Sequence, residues 1–574
     1  MLTFEQVNPC CVELSQLTFN ITVDQWDQAK ILTQLTTLYN IISSDNDLVP
    51  ANLVDYILVP VAKLLVQFDQ LNVTITVKLL SILNHFASTT WYDRFNLNLS
   101  VNLFPFINHL SQSILNIDNP THSQILLIVE TFHNYTQSII NQPYHNDFFN
   151  NRDNKFILLS NLTNLVSSQL TILNFHSNND IYIESTIISS LNRFYSHCLN
   201  FDQGEILSNI LPGNVSHLVK FLCKPKINYK LIMESLTLFE FLIVTVYNDK
   251  SLSLLSTSFS PSSSPQTHRT EKWLFATREQ VKLAINQSFP ILIKRHNPQI
   301  NKQICHFIRE LLLRCFKSLI PICEDPLIKY LVQCQFDSFD KLISTNTDLR
   351  TTIYKGEYNY LNDLLNTLSS SVNLNQLDNI RSINFILTQN HNQVITYHTI
   401  DKIMKQLFKS LTSINKPSSL VTGKDNNTTN PNLKVISQSK NILLKDLSVS
   451  NSILNSAHTD KERINNKIWS KDMEAEISKL LNTMGQFINF DSMTIESNIT
   501  KLNQVNDLST QNSILWMILN VLPNELTSLK DSQHGDVIDM FLNLDNDNHA
   551  EDNSSLTLQN NIEDSCLLIK MGKD

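Results

Sequence analysis

Only seven glycines occur in the 574 residues: Gly204, Gly213, Gly356, Gly423, Gly485, Gly535 and Gly572. An ordinary protein carries about 7% glycine. Glycine is the residue that reaches positive φ without strain and lets backbone approach a phosphate. From these positions the patterns GxGxxG, GxxxxGKS/T and GxSxG cannot be written, which removes the common nucleotide-cradling loops and the nucleophile elbow. Tight β-hairpins lose their usual turn residue as well. The composition therefore favours a helical scaffold over an enzyme.

Basic charge is also scarce. Lys and Arg number 44 against 53 Asp and Glu, a net charge of −9. Nucleic-acid binders usually carry a basic stripe that neutralises phosphates. The longest basic stretches here are as short as Lys224-Pro225-Lys226, so a direct nucleic-acid role is disfavoured and only a local patch on the folded surface stays open. No run of about 18 apolar residues occurs, and no membrane span is expected. The richest run, Leu236 to Tyr247, contains Glu240. The N-terminus, Met1-Leu2-Thr3-Phe4-Glu5-Gln6, has no basic or apolar leader region, so no secretory signal is expected. The sequons at Asn20 and Asn72 are then read as products of asparagine richness, roughly one residue in nine, which is given no mechanistic weight. Nine scattered cysteines fit reduced thiols and a cytoplasmic and nuclear setting.

What is present is helical periodicity. Hydrophobic residues make up 42% and charged residues 17%, enough to bury a large core. Between Lys302 and Leu319 the apolar positions Ile304, Phe307, Ile308, Leu311, Leu312, Cys315, Phe316 and Leu319 alternate steps of three and one, one broad helical face. Pro298 precedes this helix and Pro321 is expected to end it. A shorter helix is expected from Asp325, and another over Glu271 to Phe289, stopped or kinked by Pro290. The same grammar recurs in Leu53 to Leu65 (interrupted at Pro60), Val73 to Phe86, Ile125 to Ile140, Phe156 to Leu173, Ile181 to Leu199 and Ile227 to Tyr247. Asn72 to Val77 alternates like a strand, but it flows into a helical pattern and is read as helix. The spacing of roughly 25 to 45 residues suits stacked helix pairs that bury their faces only against neighbours. The expected fold is all-α, a HEAT/armadillo-like α-solenoid with disordered polar insertions.

The expected organisation is a solenoid over 1–250, a Ser/Pro-rich flexible loop over 251–270, continuing solenoid over 271–416 and an Asn-rich linker over 417–440. Further helical repeats follow over 441–530, carried by Ile468 to Phe490 and Asn512 to Leu522. The last segment, 531–574, is acidic and expected to be largely disordered. It ends on the apolar stretch Cys566 to Ile569, which suggests a truncated helix.

Candidate chemistry is thin. Cys305, His306, Cys315, Cys323 and Cys334 are spaced too widely for the usual zinc pairs, and Cys315 lies in an apolar stripe, so they are read as core. Cys10-Cys11 is read as structural, with Pro9 marking a helix start. His296 is read as a turn residue. No catalytic constellation and no metal or cofactor site is assigned. Ser260 and Ser264, each before proline, are candidate phosphosites whose modification would add charge to a loop.

Several stretches resemble one family in collinear order. They are Phe4 with Val7 to Leu14, including Pro9 and Cys10; Tyr56 to Pro60; Leu211-Pro212-Gly213, expected to precede a helix pair; Arg269 to Thr277, including Trp273, Leu274 and Thr277; and Leu311, Leu312, Cys315 and Leu319. Asn512 to Asn520 adds a weaker match. Together they resemble the Tel-two-interacting protein one family, the long HEAT-repeat subunits of the TTT co-chaperone complex. The resemblance implies a non-enzymatic scaffold with protein partners: two other TTT subunits, phosphatidylinositol-kinase-related kinases such as TOR and the checkpoint kinases, and the heat-shock chaperone machinery. Family members continue through a second helical half, so a shortened product or fragment is expected. A karyopherin-like transport receptor or another generic HEAT-repeat adaptor is the alternative.

Overall fold

The computed structural model describes residues 3–19, 21–44, 51–89, 96–143, 145, 147–149, 155–199, 204–257, 269–336, 347–368, 376–389, 402–403, 406–407 and 471–487. Among these residues there are helices and no strands. In chain order the longer helices are α1 (Phe4–Thr18), α2 (Gln28–Ser44), α3 (Ala51–Val66), α4 (Val73–Ser88), α5 (Leu97–Leu115), α6 (His122–Ile140) and α7 (Lys155–Thr171). They continue as α8 (Ile181–Cys198), α9 (Glu205–Leu222), α10 (Tyr229–Val246), α11 (Asp249–Thr257), α12 (Glu271–Ile293), α13 (Pro298–Arg314) and α14 (Ile320–Gln333). The last are α15 (Thr347–Leu368), α16 (Gln376–Gln389) and α17 (Lys471–Phe487). The chain divides into two compact units, Met1–Tyr360 and Leu361–Asp574.

In the first unit alternate helices pack on one another. One layer runs through α2, α4, α6, α8, α10 and α13; the other includes α5, α7, α9, α12 and α14, with α1 against α3 at the start. The core lies between the layers, filled by residues such as Phe86, Phe104, Phe132, Phe194, Phe221 and Phe239. This is the all-α solenoid of stacked helix pairs that the periodicity predicts. In the second unit α16 packs on α17. Ile383, Leu387, Leu480 and Leu481 are buried there, and the Thr483 hydroxyl donates to Asn384 Oδ1 at 3.0 Å.

Asparagine has a physical job that composition alone does not reveal. Asn72, Asn96, Asn228 and Asn297 are N-caps whose side chains accept from the first-turn N–H groups of α4, α5, α10 and α13. Other amides join neighbouring helices: Asn134 donates to Asn84 at 2.9 Å between α6 and α4, and buried Asn108 to Asn161 at 2.9 Å between α5 and α7. These asparagines hold helix starts and helix pairs in place.

Proline is where the expected boundaries fail. Pro9, Pro60, Pro105, Pro212, Pro290 and Pro326 all lie inside helices. Pro9 does not start a helix, α3 continues through Pro60, α12 is not stopped at Pro290, and Leu211-Pro212-Gly213 sits in the middle of α9 instead of preceding a helix pair. An interior proline forfeits one backbone hydrogen bond, and packing of the apolar face offsets that loss. The expected Lys302 to Leu319 helix is displaced: α13 starts at Pro298 and stops at Arg314. Its stripe runs on through a turn into α14, which begins at Ile320 and not at Asp325. There Pro321 opens a helix, as the N-terminal preference of proline favours. Part of the expected 251–270 loop is helical, within α11. Ser260, Ser264, residues 417–440, Asn512 to Leu522 and 531–574 lie outside the described residues.

The helical stretch Tyr229–Ser253 is long and apolar enough, by length and composition, to cross a membrane, and 61% of its most apolar window is buried in the protein. Its α10 portion packs against α8, α9 and α13, which is the environment of a core helix.

Candidate functional site

The residues that carry the family resemblance come together in two places. At the start of the chain the Tyr56 hydroxyl donates to Asn8 Oδ1 at 2.7 Å, and its ring lies 4.9 Å from Phe4. The segment around Pro9 and the segment ending at Pro60 are thus one packed pair, α1 against α3. Pro60 and Cys10 are buried and Pro9 is exposed. Burial, with Cys10 beside it, pushes the Cys11 thiol up to about 12. Burial raises Cys10 as well, with a smaller push from Glu13. Neither thiol is poised to ionise, so the pair packs as small hydrophobes.

The second place is a polar corner centred on Tyr247, just past α10. Its hydroxyl donates to Thr277 Oγ1 at 2.6 Å, and Thr277 in turn donates to the Trp273 carbonyl at 2.8 Å. The Tyr247 and Trp273 rings stack at 6.4 Å between centroids. The Tyr247 carbonyl accepts from Ser318 Oγ at 2.6 Å, and Asp249 accepts from the Lys317 and Ser318 N–H groups at 2.9 Å each. Those contacts satisfy the backbone where α13 gives way to α14. Cys315 is buried with Sγ 3.9 Å from the Val244 carbonyl, and burial pushes its thiol up strongly. Arg269, whose side chain is 0% exposed, donates to Glu205 Oε2 at 3.0 Å and to the Val246 carbonyl at 3.1 Å. Beside it Gly204 holds φ +91°, and a Cβ there would lie 2.8 Å from the Thr245 carbonyl oxygen. Glycine is required at that point by both conformation and space.

Of the other quoted residues, Leu311, Leu312 and Leu319 are core, Leu274 is half-buried, Leu211 is buried, and Pro212 and Gly213 are exposed on α9. Sequence reasoning missed Tyr247, Asp249, Glu205 and Gly204 as members of the corner. Gly204 had little readable signal, since a residue before a helix ordinarily takes extended φ and its φ of +91° departs from that. Tyr247 had none, because its partners lie 30 and 71 residues away.

Of the remaining candidates, the fold brings Cys305 of α13 and Cys334 at the end of α14 into side-chain contact, which with burial pushes the Cys334 thiol up. Cys305 and Cys323 are buried and Cys334 is half-buried. His306 sits on the surface, 3.1 Å from Glu240 on α10. Among the described residues no group of three or more His, Cys, Asp or Glu could hold a metal. His296 adopts φ 51° in the turn between α12 and α13, as a turn residue should. Most of the corner's polar groups bond to one another, though one Arg269 terminal nitrogen is buried without a partner; these bonds tie α10, α12 and the α13–α14 turn together.

Comparison with known proteins places this arrangement. Residues 4–337 match the TTI1 N-terminal TPR domain, and residues 355–569 match the second TPR domain of yeast TEL2-interacting protein 1. TEL2-interacting protein 1 of Saccharomyces cerevisiae is 28% identical over 564 residues, covering 90% of this chain and 51% of its own length. The chain thus spans about half the length of the relative it matches. Both descriptions concern stacked helix pairs, and the first match alone covers more than half of the chain. The Phe4–Tyr56 pair and the Tyr247 corner both fall inside it. The chain belongs to the TTI1 family.

Proposed function

We propose that this chain acts as a non-enzymatic helical scaffold of the TTT complex. In that role it supports the maturation and stability of phosphatidylinositol-kinase-related kinases, TOR and the DNA-damage checkpoint kinases, together with the heat-shock chaperone machinery, in cytoplasm and nucleus. The observation that carries this reading is the ordered match of both halves of the chain to TTI1-family domains, one of them named for interaction with TEL2. The physics supports it. Stacked helix pairs offer a long side-chain surface on which another protein can dock. The test is affinity purification of the tagged chain from native lysate. Recovery of a TEL2-type subunit, a second helical subunit and large kinases is expected. Recovery of none of them sinks the proposal.

A further inference from the structure

Two long stretches of the first unit contain no carboxylate. Residues 206–233 carry Lys220, Lys224, Lys226 and Lys230, and residues 280–309 carry Lys282, Lys294, Arg295, Lys302 and Arg309. In a chain of net charge −9 such stretches stand out, and the fold joins them. Helices α9 and α12 pack side by side. Where they end, Arg295 donates to the Lys224 carbonyl and Cys223 Sγ lies 3.8 Å from the Gln287 carbonyl. The turn after α7 closes the third side: Lys224 Nζ donates to the Leu173 carbonyl at 2.8 Å, and Lys220 Nζ rests over the Phe175 ring at 3.9 Å from its centroid.

The resulting edge is cationic and partly apolar. Lys220, Lys226, Lys230 and Lys294 are exposed, and none has a carboxylate within ion-pair distance among the described residues. Lys224 alone is compensated, by Glu184 at 3.8 Å. Phe175 is 57% exposed and Tyr229 44%. Along the chain the next acids are Asp180, after Phe175, and Glu234, after Lys230; Asp180 is engaged with His122 at 3.4 Å. The like charges crowd one another. Lys220 adds to the burial that lowers both Lys224 and His217 below their ordinary pKa. An anion seated here would relieve that repulsion.

We propose that this edge, formed by the ends of α7, α9 and α12 and the start of α10, docks an acidic polypeptide segment that carries an aromatic or aliphatic side chain. Charge complementarity selects the acid and the exposed rings select the apolar residue. A duplex nucleic acid fits less well. It needs cations over a longer face, and its phosphates present no apolar group to Phe175. This inference deepens the scaffold reading, because it names a chemistry for one class of partner.

The probe is a fluorescein-labelled peptide Glu-Asp-Phe-Glu-Asp-Leu-Glu-Asp, titrated with the purified full chain by fluorescence anisotropy at low salt. Its control is the same peptide with Gln and Asn replacing the acids. We expect saturable binding of the acidic peptide only, weakening as salt rises. The paired variant Lys226→Glu with Lys294→Glu should weaken binding about tenfold or more, and Phe175→Ala about threefold. Lys30→Glu with Lys272→Glu makes the same change in net charge at exposed sites elsewhere, and it should leave binding within about twofold. Far-ultraviolet spectra check that the variants fold, and rescue by Lys226→Arg with Lys294→Arg guards against local damage. The proposal is overturned if the amide control binds as well as the acidic peptide, if the distant charge reversals cost as much as the local ones, or if the acidic peptide does not bind. It is equally overturned if a duplex oligonucleotide or phosphatidylserine vesicles bind more tightly through the same lysines. Purification of the complex with the same variants reads the scaffold proposal separately: peptide binding without recovery of TTT subunits sinks that proposal alone, and recovery without peptide binding sinks this one alone.

Discussion

At the scale of the residue, the Tyr247 corner concentrates the most testable chemistry. Tyr247→Phe keeps the ring against Trp273 and removes only the bond to Thr277, so it should cost about 1 kcal/mol. Gly204→Ala imposes a side chain at φ +91° against the Thr245 carbonyl and should cost about 1–3 kcal/mol or prevent folding of the α9 terminus. Leu312→Ala deletes a buried side chain of α13 and should cost about 2–5 kcal/mol. All three are read as shifts in the first unfolding transition. An effect of Leu312→Ala no larger than that of exposed Leu313→Ala would show that the face is misassigned. Glu357 on α15 gives a pH test. It is 3% exposed with one carboxylate oxygen unbonded, and burial pushes its carboxyl from 4.5 up to about 8. The folded state therefore holds a proton that the unfolded chain releases between those values. Stability from this group falls as pH rises from about 4.5 to about 8 and is flat outside that window, with a slope of at most about 1.4 kcal/mol per pH unit. Glu357→Gln should match the parent at pH 4 and melt higher than it at pH 8.

At the scale of the element, periodicity located most helices, and local chemistry misplaced their ends. The step pattern around Leu311 was legible because buried apolar residues must recur at helical spacing. Three kinds of signal misled. Prolines look like breaks, yet packing on α9 and α12 outweighs the missing bond at Pro212 and Pro290. Asparagine and polar residues dilute α2 and α5, which periodicity did not single out, while Asn96 caps the latter. The apolar stripe of α13 passes through the turn at Cys315, so the break is invisible until Asp249 is seen accepting the Lys317 and Ser318 N–H groups of that turn from 68 and 69 residues away. Pro212 is exposed on α9, and its replacement by alanine restores a backbone donor without touching the core. Pro212→Ala should raise the melting temperature, by about 1–2 kcal/mol in stability after allowing for the looser unfolded chain. A decrease would mean that the proline shapes α9 in a way its neighbours require.

At the scale of the molecule, the class of fold was legible from glycine poverty and helical spacing together, and the Tyr247 corner was not, because it is assembled from segments far apart in sequence. Each helix of the first unit finds its main partners among near neighbours in the chain, so stability there should be distributed unevenly and locally. Native-state hydrogen exchange should resolve groups of neighbouring helices that open at different free energies. Uniform opening energies would mean a single cooperative block. Such near-neighbour stitching also has a mechanical side. Because the Tyr247 corner clamps α10, α12 and the α13–α14 turn together, tension applied along the chain should peel helices away in successive small steps and then stall there, with the corner behaving as a rivet in an otherwise yielding spring.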